Sequence, residues 1–380
     1  MTDQRIAIVL PDLRGGGVER IRLSLAEQFL AAGFTVDFVL WHGGGELLAE
    51  VPNGCRVFAL EAQRLRTGIG RAADYMRRER PDAILAGIWP LTVATVMARA
   101  LSRQRLRLVV SDHNQLSRQY GATSQAHRLF LSGSIAASYR LADARVTVSA
   151  GVADDLAELS GIARDRFTVI HNPLPIRAPP DAADTIVAAA AWGEGKGGRI
   201  LSVGSLKPQK NHALAISALA RLEDRKAHLP ILGEGGCRAK LEAHARAEGV
   251  ADRVMMPGFF ADPMPYFRAA DLFVLSSDYE GFGNVIVEAL SCGVPVVATD
   301  CPSGPAEILG NGRFGSLVPV GDALALADAV ANALAREPDR DLLIGRAAAF
   351  SPESAANAYL SLLFPERLPS VPMENESLST

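Results

Sequence analysis

Cysteine is scarce in this sequence, and no apolar run is long. The cysteines form no C-x-x-C pair and are too few to hold a secreted scaffold together, so we expect reduced thiols in a cytosolic protein; they are Cys55, Cys237, Cys292 and Cys301. The opening MTDQ leads directly into IAIVL without a basic segment or a cleavage site, which predicts no export signal. Nowhere do about 18 apolar residues follow one another, so no membrane-spanning helix is expected.

Lysine is absent from residues 1–180, although that part of the chain is basic. It holds 22 arginines against 17 acidic residues, a net charge of +5, whereas residues 181–380 hold 17 basic and 25 acidic residues, a net charge of −8. Residues 61–140 are the densest part, with 13 arginines against 5 acidic residues. Such a surface attracts anionic lipid or a partner that carries a pyrophosphate, although a run of charge is equally typical of a solvated face.

The length of the chain and the alternation of its apolar runs predict two α/β domains. With 380 residues, the chain exceeds what one hydrophobic core usually supports. Short runs rich in Val, Ile and Leu alternate with helical patterns, which is typical of parallel strands buried on both faces. The strand candidates are 6–10, 35–40, 82–87, 106–111, 144–149 and 167–170, then 199–204, 229–233, 253–258, 271–277, 294–300 and 315–320. We expect two Rossmann-like, doubly wound parallel sheets that face each other across a cleft.

Composition also indicates the domain boundaries. Residues 1–172 are expected to form the first domain, and the Pro- and Gly-rich residues 173–197 are the expected linker to a second domain over 198–350. A helix near 352–365 is expected to pack back on the first domain. The polar, proline-bearing residues 366–380 are expected to form a disordered tail.

Residues 276–290, SSDYEGFGNVIVEAL, place Glu280 and Glu288 around a Gly-Phe-Gly turn. Because strand candidates precede and follow this segment, it predicts a turn and a short crossover helix, with Asn284 as the N-cap and Gly293 closing it. Free backbone N–H groups and the helix dipole favour phosphate at that N-terminus. The carboxylates are then expected to accept hydrogen bonds from sugar or ribose hydroxyls. A capping carboxylate and a surface glutamate would explain either residue alone, but not the two glycines.

The same segment carries a family resemblance. EGFGNVIVEAL, followed by CGVPVVATD, is similar to the E-x7-E signature of the retaining, nucleotide-sugar-dependent glycosyltransferases of family 4, which have the GT-B fold of two Rossmann-like domains. Five other segments resemble the family and occur along the chain in the order expected for it. They are GGGVER (15–20), VGSLKPQKN (203–211), ILGEG (231–235), PGFFADP (257–263) and CPSGPAEIL (301–309). The resemblance extends over most of the chain and implies an α/β protein of the GT-B class.

The resemblance implies roles for named residues around the two glutamates. Glu280 is implied to contact hydroxyls of the donor sugar, and Glu288 is implied to contact the ribose. The residues whose backbone is implied to meet the sugar and the diphosphate are Phe282, Gly283, Asn284 and Val285. This implication agrees with the expectation that the helix N-terminus binds phosphate.

Two further side chains complete the implied catalytic set, which consists of Glu280, Lys210 and His113. Lys210 can neutralise a leaving diphosphate. The family has an arginine where this chain has Ser205, so Lys207 is a candidate replacement for that phosphate contact. His113 follows the strand LRLVVS and is implied to reach into the cleft beside the donor sugar as a positioning and electrostatic group.

Two glycine-rich loops are candidates for the remaining donor contacts. Gly16 and Gly17 follow the first strand and can bring backbone N–H groups close to phosphate or acceptor. Gly233 and Glu234 follow a strand of the second domain and are expected to help select the base and the sugar. Neither loop is a dinucleotide fingerprint, because arginine replaces the third glycine of G-x-G-x-x-G in both, which argues against hydride transfer.

The sequence offers no metal site. The histidines that lack ligand spacing to cysteines or carboxylates are His42, His127, His171 and His212. Asp339-Arg340-Asp341 matches the D-x-D pattern of metal-dependent glycosyltransferases, but no strand precedes it. We expect a metal-independent enzyme without a cofactor and without a nucleic-acid partner. Its co-substrate is expected to be a nucleotide sugar, and a UDP-sugar is favoured over a GDP-sugar.

The predicted function is transfer of a sugar, with retention, from a nucleotide-diphosphate donor to a hydroxyl acceptor on the first domain. The Arg-rich residues 61–140 favour a polyprenyl-diphosphate-linked glycan in cell-surface polysaccharide assembly, with peripheral contact to the inner face of the plasma membrane; a soluble acceptor stays open. A sugar-nucleotide epimerase or a phosphorylase of the same fold is the alternative enzyme. A non-catalytic, two-domain sugar-binding protein of the periplasmic kind would require an export signal.

Overall fold

Two parallel β-sheets organise the molecule. The computed structural model describes residues 4–121, 123–174, 188, 190–192, 197–260 and 262–367. The strands of the first sheet are β1 (Arg5–Leu10), β2 (Thr35–Leu40), β3 (Arg56–Ala59), β4 (Ala83–Gly87), β5 (Arg107–Asp112), β6 (Ala144–Thr147) and β7 (Thr168–Val169). Those of the second are β8 (Ile200–Val203), β9 (Leu229–Leu232), β10 (Val254–Gly258), β11 (Leu272–Leu275), β12 (Val296–Thr299) and β13 (Ser316–Val318). Their spatial orders are β3-β2-β1-β4-β5-β6-β7 and β10-β9-β8-β11-β12-β13.

Helices connect these strands and cover the sheets. In the first half they are α1 (Gly17–Ala31), α2 (Leu65–Glu79), α3 (Leu91–Ser102), α4 (Leu116–Gln119), α5 (Gln125–Tyr139) and α6 (Ala150–Ser160). In the second half they are α7 (His212–Arg221), α8 (Arg238–Ala247), α9 (Met264–Ala269), α10 (Asn284–Ser291), α11 (Pro305–Ile308), α12 (Ala323–Leu334), α13 (Arg340–Ala348) and α14 (Pro352–Leu363). No helix within the described ranges is long and apolar enough to cross a membrane.

The apolar runs form strands because both faces of each sheet are covered. In β1, Ile6 and Ile8 belong to one buried cluster and Ala7 and Val9 to another, so alternate side chains enter cores on opposite faces. The predicted α/β fold with two parallel sheets is confirmed. The sequence analysis missed β3, an edge strand whose side chains are mostly exposed and whose four residues carry no buried run.

The chain crosses between the two sheets twice. We call the part built on the first sheet the first lobe and the part built on the second sheet the second lobe. After the second sheet, α14 returns to pack on α1, and Phe364 stacks on Phe34 with ring centroids 4.9 Å apart. The two crossover segments, 171–174 and 349–351, are joined where Leu174 N donates to Phe350 O at 3.0 Å, and we call them the hinge. The remainder of the predicted linker and the predicted disordered tail lie largely outside the described residues.

The strand order creates a crevice at one edge of each sheet. The order reverses between β1 and β4 in the first sheet and between β8 and β11 in the second. In open α/β sheets, ligands bind outside the carboxyl ends of the strands at such switch points. The loops after β1, β8 and β11 hold Gly16, Lys210 and Glu280, and the loop after β5, the neighbour of β4, holds His113.

Candidate active site

An ion pair between two loops of the second lobe lies at the centre of the site. Glu280, in the loop after β11, is 5% exposed and accepts a hydrogen bond from Lys210 Nζ at 2.6 Å. Ser277 Oγ donates to the same oxygen, Oε1, at 2.6 Å. β8 and β11 are neighbours in the sheet, which brings the loops after them together. On the loop that leads to Lys210, Ser205 is partly buried and Lys207 is exposed.

A neutral histidine lies next to this ion pair. His212 is buried, and Ser202 Oγ lies 3.2 Å from its Nδ1 atom. Burial and the positive charge of Lys210 lower the pKa of His212 to about 4. The imidazole is therefore uncharged at neutral pH, and Lys210 supplies the positive charge at this end of the loop.

The helix after the Gly-Phe-Gly turn begins one residue earlier than predicted. Its N-cap is Gly283, with φ +101°, and α10 starts at Asn284. The prediction that Asn284 is the N-cap is therefore wrong, because the cap has a left-handed backbone that favours glycine. The Asn284 side chain is turned to the hinge instead, where Oδ1 accepts a hydrogen bond from Asn172 Nδ2 at 3.0 Å.

The ring of Phe282 anchors this turn in the hinge. Phe282 is 2% exposed, stacks on His171 with centroids 5.2 Å apart, and meets Phe350 edge-on at 5.5 Å. Its side chain is committed to protein contacts. The first turn of α10, by contrast, is partly exposed at Asn284 and Val285.

The two lobes touch at Gly281. A Cβ atom on Gly281 would lie 1.9 Å from the carbonyl oxygen of His113, the residue that follows β5. Ser149 Oγ of the first lobe donates to Gly281 O at 2.7 Å. His113 therefore lies at the carboxyl edge of the first sheet, in contact with the loop that carries Glu280. The lobes are closed on each other at this point.

Glu307, in α11, fastens the lobes on the other side of the turn. Its carboxylate oxygens both lie 3.0 Å from Ala150 N, and Oε2 lies 3.2 Å from His171 Nε2. Ala150 begins α6, so the carboxylate occupies a helix N-terminus, where the dipole favours negative charge. Burial works to raise the pKa of Glu307, but hydrogen bonds from His171 and Ala150 outweigh it, so the pKa lies below its usual value.

We expect the stability of the protein to fall in acid because of Glu307. A carboxyl group whose pKa is lowered by folding contributes stability that is complete above its unfolded value, about 4.3, and that is lost as pH falls through the folded value. The free energy of unfolding in urea, measured between about pH 6 and about pH 3, should fall more steeply for the wild type than for Glu307→Gln. Parallel pH dependences would contradict the assigned role.

Glu288 faces the first lobe across a small cavity of about 90 Å³, which Gly17 and Asn284 also line. A Cβ atom on Gly17 would lie 3.8 Å from Asn284 Nδ2. Gly16 is the N-cap of α1. The carboxylate of Glu19 lies against it, because a Cβ atom on Gly16 would be 2.1 Å from Glu19 Oε2. The structure thus brings the first glycine-rich loop to the start of α10.

The second glycine-rich loop supports the loop of Lys210. Gly233 has φ +147°, and a Cβ atom there would lie 2.1 Å from Gly204 O, so this position requires glycine. Glu234 is turned towards α8, where it accepts a hydrogen bond from Arg238 Nη2 at 2.9 Å. The contacts of this loop within the protein are therefore with its neighbours in the second lobe.

The D-x-D pattern has a structural explanation. Asp339 is the N-cap of α13 and accepts a hydrogen bond from Leu342 N at 3.1 Å. Within the residues that the structure describes, no three His, Cys, Asp or Glu side chains are grouped so that they could hold a metal ion.

The residues around the candidate site that the sequence analysis missed join elements far apart in the chain: Arg22, Ser149, Asn172 and Glu307. Ser149 and Glu307 find their partners 132 and 157 positions away, a relation that no local spacing reveals. The sequence does carry a signal for Arg22, because it is a charged residue among the apolar residues of α1. The structure shows that it is fully buried. Asn172 stands where the sequence analysis placed the end of the first domain.

Two family models match this chain. The model described as Glycosyltransferase Family 4 matches residues 15–177, and the model described as Glycosyl transferases group 1 matches residues 189–349. Together they take in both lobes. The chain is a GT-B glycosyltransferase of the family 4 type.

Among curated proteins, this glycosyltransferase is similar to two bacterial enzymes. It is 29% identical over 339 residues to the N-acetylgalactosamine-N,N'-diacetylbacillosaminyl-diphospho-undecaprenol 4-alpha-N-acetylgalactosaminyltransferase of Campylobacter jejuni, covering 83% of this chain and 86% of that protein. It is 36% identical over 172 residues to the lipopolysaccharide core biosynthesis glycosyltransferase LpsE of Rhizobium meliloti, covering 43% of this chain and 49% of that protein.

Solved structures share the fold of this glycosyltransferase. The lipopolysaccharide outer core galactosyltransferase WaaB in its apo form superposes with a TM-score of 0.74 at 19% identity, covering 95% of this chain and 99% of that one. Anabaena HepE in complex with UDP superposes with a TM-score of 0.75 at 22% identity, again covering 95% and 99%. At these identities the likeness establishes the architecture alone.

Proposed function

We propose that this glycosyltransferase moves a sugar, with retention of the anomeric configuration, from a nucleotide diphosphate to a hydroxyl of a polyprenyl-diphosphate-linked glycan in cell-surface polysaccharide assembly. Residues 1–172 would form the acceptor domain and residues 198–350 the donor domain. The observation that carries the proposal is the ion pair of Lys210 and Glu280 on the loop that leads into α10, where the next residue, Gly281, meets the backbone of His113.

The chemistry of this arrangement suits a departing diphosphate. The bond between the anomeric carbon and the phosphate oxygen breaks, and negative charge develops on the leaving oxygen. Lys210 and the free N–H groups of α10 stabilise that charge, without a metal ion in this proposal. The acceptor hydroxyl attacks from the same face and gives its proton to the departing phosphate. Glu280 orients Lys210 and accepts hydrogen bonds from sugar hydroxyls.

We propose a UDP-sugar as the donor in preference to a GDP-sugar. The fold is shared with Anabaena HepE, a structure of which contains UDP. The proposal is tested by a thermal-shift panel of UDP-, GDP- and ADP-sugars with and without EDTA, followed by transfer assays with the donor that stabilises the protein. If none of these nucleotide sugars stabilises the protein, the proposed donor class is refuted. If EDTA abolishes transfer and added metal restores it, the proposed metal independence is refuted.

Glu288→Gln is expected to weaken nucleotide binding. A carboxylate that accepts hydrogen bonds from ribose hydroxyls contributes about 1.5–3 kcal/mol, so the dissociation constant measured by calorimetry should rise about tenfold or more. The matched control is Glu242→Gln, which changes a partly exposed glutamate of α8 that lies 3.6 Å from Arg238 Nη1. Equal affinities of Glu288→Gln and the wild type would remove Glu288 from the ribose site.

Two observations support a lipid-linked acceptor on the first lobe. The Campylobacter jejuni relative is named for an undecaprenol-diphosphate substrate and aligns over 86% of its length. At the carboxyl edge of the first sheet, Asp12, Arg14 and His42 line a cavity of about 360 Å³ together with Gly43, Gly44 and Gly45. Such an open, polar cavity suits a glycan better than an apolar chain.

We also propose that the first lobe contacts anionic membrane through residues 61–140. The arginines with exposed side chains in this stretch include Arg64, Arg66, Arg78, Arg103, Arg105, Arg118 and Arg128. The same stretch also has exposed apolar side chains, and Leu129 and Phe130 on α5, which follow Arg128, are 67% and 63% exposed. Arginines attract anionic headgroups, and adjacent apolar side chains can enter the interface.

The double variant Leu129→Ser/Phe130→Ser is expected to co-sediment less with vesicles that contain anionic lipid. The matched control is Phe259→Ser/Leu324→Ser, which replaces side chains that are 66% and 63% exposed on the second lobe. Only the first variant should lose binding, and neutral vesicles should bind the wild type weakly. Equal binding of the wild type to anionic and neutral vesicles would contradict the membrane proposal.

A further inference from the structure

Arg22 is a buried cation directly behind His113. It lies on α1, is 0% exposed, and its guanidinium carbon lies 5.3 Å from the centre of the Tyr359 ring. Gly87, at the end of β4, leaves room for it, since a Cβ atom there would lie 3.3 Å from Arg22 Nη2. Among the described residues, the Nε and Nη1 atoms of Arg22 have no hydrogen-bond partner. Burying a charge with so few partners is costly, so the residue requires an explanation.

The hydrogen bonds of Arg22 Nη2 supply that explanation. Nη2 donates to Ser111 Oγ and lies 3.0 Å from His113 Nε2. Ser111 Oγ in turn donates to Ala86 O at 3.3 Å, so its hydroxyl proton is directed away from the histidine. A guanidinium nitrogen can only donate, and therefore His113 Nε2 must accept. The proton of a neutral imidazole is then on Nδ1.

We infer that Arg22 is a positioning residue that holds His113 as the neutral imidazole with its proton on Nδ1, so that His113 enters the reaction as a hydrogen-bond donor. This inference rests on the proposed function for the place of His113 in the active cleft. It excludes proton abstraction by Nε2, whose lone pair faces Arg22.

The electrostatic surroundings of His113 agree with this assignment. Burial lowers the pKa of His113 well below its usual value, and the charge of Arg22 lowers it further. The groups that face the ring from other elements are Arg22 on α1 and the neutral Asn172 in the hinge. The second lobe presents the backbone of Gly281, and the carboxylate of Asp112 is turned to Tyr139 OH at 2.5 Å. The imidazolium is therefore disfavoured.

The Nδ1–H group is then available to a substrate oxygen. Nδ1 is buried and makes no hydrogen bond of standard geometry among the described residues, although the Asn172 side chain lies near enough to act on the pKa of His113 as a hydrogen-bond partner that raises it. A buried donor without a well-formed hydrogen bond is costly, and a sugar hydroxyl or a phosphate oxygen of the donor would satisfy it. A histidine that donates and does not accept a proton also suits a reaction in which the departing phosphate takes the acceptor proton.

The tautomer can be measured directly in the ligand-free, full-length protein. Nitrogen-15 NMR of the histidine rings, with His113 assigned through His113→Gln, should show a protonated Nδ1 and an unprotonated Nε2 that do not change between about pH 5 and about pH 8. A protonated Nε2 in the wild type, or titration near the ordinary value of about 6.5, would overturn the inference. This result does not depend on activity, so failure of the inference and failure of the proposed function are distinguishable.

Variants of Arg22 separate positioning from packing. In Arg22→Met, Nε2 no longer faces a guanidinium, so nitrogen-15 NMR should show the proton of His113 shared between Nδ1 and Nε2, and kcat/KM for sugar transfer should fall about two- to tenfold because the Nδ1–H donor is partly lost. Arg22→Lys, which retains a charged donor, should preserve the wild-type tautomer. The control is Arg145→Met, which removes another buried arginine of the first lobe, bound to Tyr139 O at 2.7 Å and Ala142 O at 2.8 Å. An unchanged tautomer of His113 in Arg22→Met would contradict the inference.

Discussion

Gly281→Ala is expected to lower kcat/KM by about 10²-fold or more while leaving each lobe folded. The added Cβ atom would lie 1.9 Å from the His113 carbonyl oxygen of the opposite lobe, so the lobes must separate there. Separation also breaks the hydrogen bond from Ser149 Oγ to Gly281 O, now 2.7 Å long. A displacement of about 1 Å between reacting groups is sufficient for a loss of this size. Steady-state kinetics and small-angle scattering measure the two effects.

Gly345→Ala is the matched control for this prediction. Gly345 lies within α13, and a Cβ atom there meets nothing within 4 Å. Alanine in a helix is more favourable than glycine by roughly 0.5–1 kcal/mol, so this variant should retain activity and unfold no earlier than the wild type. Full activity of Gly281→Ala would show that catalysis does not need the closed contact between Gly281 and His113.

Lys210→Ala is expected to lower kcat/KM by about 10²–10³-fold, the loss typical of removing one group that stabilises developing negative charge. The ion pair with Glu280, at 2.6 Å, fixes the Lys210 side chain to the loop that leads into α10. The variant also leaves Glu280 buried without its cation, so its unfolding midpoint should fall. Activity must therefore be compared at a temperature where thermal-shift curves show both proteins folded.

Lys207→Ala is the control on the same loop. Lys207 is exposed and lies at the start of the turn that ends at Lys210, so its removal leaves the ion pair with Glu280 intact. We expect a loss much smaller than that of Lys210→Ala. If Lys207→Ala lowers kcat/KM more than Lys210→Ala does, Lys207 is the main phosphate ligand. That result would also support the idea that Lys207 replaces the arginine that the family has at the position of Ser205.

The strands and the short helix of the candidate site were predictable because local patterns encode them. Apolar runs such as IAIVL become strands when both faces are buried, and Gly281 and Gly283 mark a turn before α10. The N-cap was misplaced by one residue because asparagine is a common cap, whereas here a left-handed Gly283 fills that position. β3 was missed because an exposed edge strand has no buried pattern.

The contacts between the lobes were not predictable from spacing. Ser149 to Gly281 and Glu307 to Ala150 are hydrogen bonds across 132 and 157 positions, and each depends on how two separately folded sheets meet. The environment of His113 belongs to the same class. Its tautomer depends on Arg22, which is 91 positions away and reaches Ser111 and the ring from α1.

By itself, the sequence determined the two parallel sheets, the loops that carry the candidate site residues and the family, because apolar periodicity and ordered motifs are properties of neighbouring residues. Only the tertiary structure decided that Lys210 pairs with Glu280, that Glu307 fastens α6, and that a buried arginine lies behind His113. Pairings of this kind depend on distances between chain segments that local sequence does not encode, and on burial, which decides which charges are neutralised and which protons stay in place.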